Sequence, residues 1–460
     1  MNAPTDASGP VRRGEVAPAR AAAFAALRRL RRSGARLDDS VAALPELTPL
    51  SSADRALANE LVNGTVKRRA SVDAVLGAYT MAPLKDADPD VRDALRLTAF
   101  QLLFLDRVPA YAAVDDGVEL ASRRSRRARG FANAVLRKVA GDGRAKLAEL
   151  GAADDAHGWS VRLSYPPWLV KVLRAELGDE RAARLLEAGN AAPERCLRAN
   201  RLRGGVEAAV EGLAAEGYAT RGVEGLPDGL LYEGPPLERA AAFGSGVVTP
   251  QSRGSQIAGL AAAGAVTGPG ATVLDVCAAP GAKTSQLAAL LPEAHITAVE
   301  VDEARAEQLR ANLTRLGADA VEVARADALD LPREWDGTFD AVLLDAPCSG
   351  LGTLASRADL RWRRRAQDVP RLAGLQARLL GRAAALVRPG GTLTYAVCTV
   401  TGAETLGVVE PLLTGGGWAV DDLGAVWPGL AHTRAGGFLL VLPPEAGSTG
   451  FFVARLRREA

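Results

Sequence analysis

Five places in this 460-residue chain put reactive or ligand-binding side chains where a strand-like pattern stops. The run Thr272–Val276 is followed by Cys277, Ala278, Ala279, Pro280, Gly281, Ala282 and Lys283, a tight turn opening onto a helical pattern over 285–291. A glycine and a helix N-terminus there allow a ligand to approach the backbone closely. After Ile296–Val299 comes Glu300, 19 residues beyond Gly281, where an acid can accept hydrogen bonds from ribose hydroxyls. After Val321–Ala324 comes Asp327, placed to accept from an adenine amino group. No GxGxxG is present, and Pro280 suits a pyrophosphate cradle poorly. A nucleoside-shaped ligand without a phosphate tail therefore fits these residues better than a dinucleotide. Phe339–Leu344 leads into Asp345-Ala-Pro-Cys348, and Gly391–Ala396 leads into Cys398. A thiolate is a nucleophile, but at an ordinary pKa of about 8.5 only a few per cent is ionised near pH 7. A working cysteine thus needs a positive group or a helix N-terminus nearby. Cys277 and Cys196 read as packing residues.

The elements that must position these groups alternate strand and helix from Gly244 onward, which predicts a doubly wound α/β Rossmann-like domain on a parallel sheet. Such sheets bind ligands beyond the carboxyl ends of their strands, where the strand order reverses. Upstream, residues 163–243 mix a helix after Pro166-Pro167-Trp168, a strand over Leu197–Leu202, a helix over Glu207–Glu216 and strands near Tyr218 and Leu230–Tyr232, a small α/β subdomain. From Ala19 to Ala140 the periodicity is helical. Asp88-Pro89 supplies an N-cap and a proline at the first helical position, and Val91, Leu95, Ala99, Leu102 and Leu103 follow at three- and four-residue steps. The expected organisation is a disordered leader over 1–17, an all-α domain over 18–142, a polar linker over 143–162, the small subdomain over 163–243 and the Rossmann-like domain over 244–460.

Lys+Arg total 56 and Asp+Glu 54, but the balance is uneven. Residues 1–150 carry 25 basic and 18 acidic side chains, and the rest carry 31 and 36. The basic excess is clustered at Arg28, Arg29, Arg31 and Arg32, at Lys67, Arg68 and Arg69, and at Arg123, Arg124, Arg126, Arg127 and Arg129, which points to phosphate backbones as a partner. The four cysteines are too few and too scattered for a disulfide framework, none has CxxC spacing, and the three histidines lack partners at metal-ligand spacing, so no metal is expected. The longest uncharged run, Ile257 to Leu274, is broken by Gly268-Pro269-Gly270, and Met1 to Arg13 has no apolar segment after its charges. These features predict a soluble, cytoplasmic protein with reduced thiols.

The runs VLDVCAAPGAKTSQLA, AVEVDEARAEQLRANLTRLG, LLDAPCSGLGTLASRADLRWRRR and YAVCTV resemble the Sun family of RNA cytosine-C5 methyltransferases. PPWLV at Pro167 and LRANRL around Asn200 resemble its small N-terminal subdomain, and GSTGFFVARLRR its closing strand. DRALANELVNGTVKRR and RGFANAVLRKVA are similar to the RNA-binding factor NusB, a fusion characteristic of the RsmB-type branch. The resemblance implies S-adenosylmethionine as cofactor. Cys277, Ala278, Ala279, Pro280, Gly281, Ala282 and Lys283 would wrap its methionine part, Glu300 would hold the ribose and Asp327 the adenine. Asp345 would lie between cofactor and target base, with Cys398 as the nucleophile and Cys348 aiding product release. It implies 16S ribosomal RNA as substrate, met before full subunit assembly, and a monomer. Transfer RNA as substrate and a non-catalytic ribosome-assembly factor are the alternatives; both cysteines and all three acids would be superfluous in the latter. Ala282, Val397, Ala358, Thr405 and Thr449 depart from the family pattern without removing a reacting group.

Overall fold

The computed structural model describes residues 16–34, 37, 50–123, 126–443, 447 and 449–460, so the expected leader lies outside the described residues except for its last two. The chain divides into two compact units, Met1–Lys171 with Arg357–Arg363, and Val172–Ser356 with Arg364–Ala460.

The first unit is helical. Its helices include Pro18–Ser33, Ser52–Lys67, Arg69–Ala78, Pro89–Phe104, Ala110–Ser122, Arg126–Leu150 and Ala156–Leu163. Ser51 Oγ accepts the Asp54 N–H at 3.0 Å, and the Asp88 carboxylate accepts the Asp90 N–H at 2.8 Å with Pro89 in the first turn, the second cap lying where the sequence predicts it. Leu61, Val72, Leu76, Leu95, Leu97, Leu120 and Leu136 form the buried core.

Two expectations fail in this unit. The polar stretch 143–162 is not a linker: one helix continues to Leu150, and the next is capped by Asp155, which accepts the Gly158 N–H at 2.7 Å. Its small residues are packing points, since a Cβ on Gly143 would lie 3.1 Å from Leu103, and Trp159 and Val161 are buried. Nor do all the clustered cations face outward. Lys67 is buried, and burial, with Arg361 and Arg68 nearby, pulls its ammonium down to about 8. Arg68 lies over the Phe104 ring at 4.9 Å and Arg69 over Trp362 at 5.3 Å, while Arg28 and Arg31 pair with Asp90. Arg361 is fully buried. It donates to the carbonyls of Lys67 at 3.1 Å and Ser164 at 3.4 Å, above the Tyr165 ring at 4.0 Å. Those carbonyls close two helices, where a cation is favoured. Arg32, Arg123, Arg127 and Arg357 are exposed, and Arg124 lies outside the described residues.

The second unit begins with a four-stranded antiparallel sheet of β1 (Cys196–Ala199), β2 (Ala219–Val223), β3 (Leu226–Glu233) and β4 (Val248–Pro250), in the order β2-β3-β1-β4. A larger sheet follows: β5 (Thr272–Val276), β6 (His295–Glu300), β7 (Glu322–Arg325), β8 (Phe339–Asp345), β9 (Val387–Val397), β10 (Trp418–Val420), β11 (Ala431–His432), β12 (Ala435–Val441) and β13 (Phe451–Arg458). Its order is β11-β12-β13-β9-β8-β5-β6-β7, with β10 on β13. The stretch from β9 to β7 is parallel, and its central strands β5 and β8 are buried along most of their length, as strands covered on both faces must be. The sheet as a whole is mixed, because β13 runs antiparallel to both β9 and β12. Along the sequence only residues 442–450 separate β12 from β13, too few for the crossover that parallel neighbours need. The chain leaves β5 towards β7 and returns to β8 on the other side, which sets the switch point between β5 and β8. Among the described residues no helix is long and apolar enough to cross a membrane.

Candidate active site

All five strand ends singled out in the sequence lie on the carboxyl side of the parallel stretch. At β5 the chain turns through Cys277, which adopts φ +63°, and Gly281, at φ +99°, into the helix Ala282–Leu290. A left-handed non-glycine residue at a strand end is the kind of backbone strain that collects at functional sites. The loop is fixed from outside: Ala278 N–H donates to Val299 O at 3.0 Å, and Arg305 and Asn312 donate to the carbonyls of Ala279 and Pro280 at 2.8 and 2.9 Å. Ala278 and Ala279 are buried and Pro280 is exposed. Ala282 opens the helix, and Lys283 reaches across the switch point to Asp345 Oδ2 at 2.6 Å. Burial opposes the Lys283 charge, but Asp345, Asp275 and Cys398 outweigh it and leave the ammonium above its ordinary value.

Glu300 ends β6 and is 2% exposed. Its Oε1 accepts the N–H groups of Val301 and Asp302 at 3.1 and 3.2 Å. Arg305 Nη2 lies 3.3 Å from Oε2, within ion-pair range, yet no hydrogen bond from the described residues reaches that buried oxygen. A buried acceptor left short is costly, and a ligand hydroxyl would satisfy it. Asp327 follows β7, is exposed, and accepts the Leu329 N–H at 2.9 Å, so part of its acceptor capacity is already used as a cap.

The two cysteines singled out by position meet. Cys348 Sγ and Cys398 Sγ lie 3.3 Å apart on the loops after β8 and β9, and both are thiols, not a disulfide. The hydrogen bond to Cys398, then burial, then negative charge on Cys398 and Glu404 raise the Cys348 thiol well above its ordinary value. Cys277 and Cys196 are pushed up to about 12, chiefly by burial, and are unreactive by comparison.

Sequence reasoning missed two groups here. Asp275, inside β5, is fully buried and accepts the Thr284 hydroxyl at 2.6 Å. Glu404, in the turn after β9, is also fully buried and receives Ser349, Thr399, Thr401 and Gln376. The one sequence signal for Glu404 is three threonines, Thr399, Thr401 and Thr405, crowded around a single acid.

Residues 267–457 match the family described as 16S rRNA methyltransferase RsmB/F, residues 165–237 its ferredoxin-like domain and residues 17–141 the NusB family. Ribosomal RNA small subunit methyltransferase B of Pseudomonas syringae pv. tomato is 34% identical over 89% of this chain and 91% of its own length. The chain belongs to the RsmB/F methyltransferase family. The protein of the same name from Xanthomonas campestris pv. campestris is 36% identical over 90% of this chain and 91% of its own. The crystal structure of PH0851 shares the fold, with a TM-score of 0.81 over 96% of this chain and 99% of that one at 24% identity. An all-α NusB domain, a ferredoxin-like subdomain and a Rossmann-like domain thus follow one another along the chain, as the sequence predicts. The cofactor of this methyltransferase is S-adenosylmethionine, and the residues present suit it: Glu300 offers an unsatisfied buried acceptor, and the surrounding acids suit a cationic sulfonium.

Proposed function

We propose that this protein methylates C5 of a cytosine in 16S ribosomal RNA, with Cys398 as nucleophile and Cys348 as the thiol that assists product release. The observation that carries the reading is the 3.3 Å approach of these two sulfurs beside the Lys283–Asp345 pair. One thiol could serve many reactions, but two converging thiols match a reaction that adds a sulfur and later expels it. The substrate assignment rests on the small-subunit methyltransferases that the chain matches along most of its length.

C5 of cytosine is a poor nucleophile until a thiolate adds to C6. That addition divides one difficult substitution into easier steps. Bound S-adenosylmethionine supplies the electrophilic methyl group. Cys398 forms the bond to C6; after C5 is methylated, the C5 proton passes to solvent water, the C5–H electron pair restores the C5–C6 double bond, and the C6–sulfur pair leaves with Cys398 as thiolate. Cys348 Sγ lies 3.3 Å from Cys398 Sγ, with its thiol pushed well above the ordinary value, and is placed to hydrogen-bond the departing sulfur. Lys283 is stabilised in part by negative charge on Cys398 and stabilises that charge in return. Asp345, oriented by Lys283, is the candidate for hydrogen bonding at N3 of the base. The Cys277–Lys283 turn would hold the methionine part of the cofactor, Glu300 its ribose and Asp327 its adenine. The base must leave its stack to enter such a site, which favours bare RNA, before subunit assembly, over a finished particle. All the site residues come from one chain, and we take the monomer as the working unit.

Labelled cofactor and bare 16S RNA should yield 5-methylcytosine, Cys398→Ala should abolish it, and Cys348→Ala should accumulate a covalent protein–RNA adduct. Full turnover by Cys398→Ala would refute the assignment.

A further inference from the structure

The mechanism gives no part to the buried acid after β9. Glu404 has 0% exposure, and among the described residues no Lys or Arg pairs with it. Its Oε1 accepts the Ser349 N–H at 2.7 Å and the Gln376 amide at 3.1 Å, and its Oε2 accepts the hydroxyls of Ser349, Thr401 and Thr399 at 2.5, 2.9 and 3.0 Å. A lone carboxyl is expensive to bury, and only a dense set of donors offsets that expense. The donors are not scattered. Ser349 and Thr399 are the residues directly after Cys348 and Cys398, so one side chain grips the loop of each sulfur. Further bonds brace it: Gln376 also donates to Pro347 O at 2.9 Å, Tyr395 Oη donates to Glu404 O at 2.7 Å, and Arg364 donates to the carbonyls of Ser349 and Cys348 at 2.8 and 3.2 Å.

We propose that Glu404 is the positioning residue of the cysteine pair, clamping the loops after β8 and β9 so that the two sulfurs stay within reach of each other and of one base. This rests on the two-cysteine reading above. The acid does more than fill space, because its negative charge also helps Cys348 keep its proton.

Glu404→Gln keeps the shape and tests the clamp. The Ser349 N–H is a backbone donor that cannot turn over, so the oxygen of the new carboxamide must take the place of Oε1, where it also accepts from Gln376. The new carboxamide nitrogen must therefore face the three hydroxyls, which lose their common acceptor. Thr401→Val removes one donor with little change of shape and serves if the first variant does not fold. Two measurements are made on the full chain with folded protein. The first is the rate at which diamide joins Cys348 to Cys398, read by mass spectrometry, which needs no catalysis. The second is kcat and KM for methyl transfer to RNA. We expect disulfide formation and kcat to fall at least tenfold in Glu404→Gln and severalfold in Thr401→Val, with KM for the cofactor within twofold of wild type. Unchanged crosslinking in either folded variant, or slowed crosslinking with unchanged kcat, would overturn the proposal. Absence of cytosine methylation by the wild-type protein would instead refute the function while leaving the crosslinking result to judge the clamp.

Discussion

Asp275 ties the stability of the catalytic unit to pH. It is fully buried, its Oδ2 accepts the Thr284 hydroxyl at 2.6 Å, and its Oδ1 accepts no hydrogen bond among the described residues. Burial pushes the carboxyl up to about 7, with repulsion from Asp345 adding to the effect and Thr284 and Lys283 offsetting part of it. In the unfolded chain an aspartate titrates near about 3.9. The folded protein therefore binds more protons between these two values, and its stability falls as pH rises through that window and levels off above it. A displacement of roughly 3 units at about 1.4 kcal/mol each gives a total of about 4 kcal/mol, of which about 2.5 kcal/mol falls between about pH 5 and pH 8. Asp275→Asn is nearly isosteric, can still accept from Thr284, and cannot ionise. Urea unfolding of both proteins without cofactor, at several pH values, isolates the residue, because the other titrating groups cancel in the difference. The variant should gain about 2.5 kcal/mol on the wild type across that range. Parallel stability curves, within about 0.5 kcal/mol, would refute the reasoning.

Other consequences are as direct. Glu300→Gln removes the acceptor proposed for the ribose, and calorimetry should show at least tenfold weaker S-adenosylmethionine binding, about 1.4 kcal/mol; unchanged affinity would remove Glu300 from the cofactor site. Gly281→Ala combines φ +99° with a Cβ 2.7 Å from Leu309 Cδ1. It should cost about 1–3 kcal/mol, read as a lower urea midpoint, and an unmoved midpoint would contradict it. Arg361→Ala leaves the Lys67 and Ser164 carbonyls without its guanidinium and opens a space over Tyr165, so the helical unit should lose about 3 kcal/mol while cofactor affinity stays within twofold. Wild-type stability with weakened RNA binding would refute this structural role.

The parallel strands are legible because a strand covered on both faces is a short, mostly apolar run ended by a turn, and the pattern over Thr272–Val276 coincides with β5. The antiparallel extension was harder to see. Ala435–Val441 opens with Gly436 and Gly437, and its pairing with Phe451–Arg458 is a long-range fact that no local pattern carries. The polar stretch 143–162 misled because composition cannot tell a solvated linker from the wet face of a helix. The arginine clusters misled for a related reason: a long side chain can lay its charge over an aromatic ring or onto a helix end, so type and spacing do not fix exposure.

The site divides along the same line. Strand–helix alternation is a local pattern repeated, so the residues delivered at successive strand ends can be named from the sequence, and the fold brings Cys348 and Cys398 together. Which of two adjacent thiols keeps its proton depends on what lies behind them, and nothing near either cysteine in sequence says so. Ser349 and Gln376 stand 55 and 28 residues from Glu404 along the chain, and only the folded sheet gathers them on one carboxylate. The asymmetry between the sulfurs follows from that gathering. Cys348 faces Glu404 and is pushed towards the protonated form, whereas Cys398 shares its surroundings with the Lys283 ammonium. A change at Glu404 should thus disturb the division of labour between two cysteines it does not itself touch.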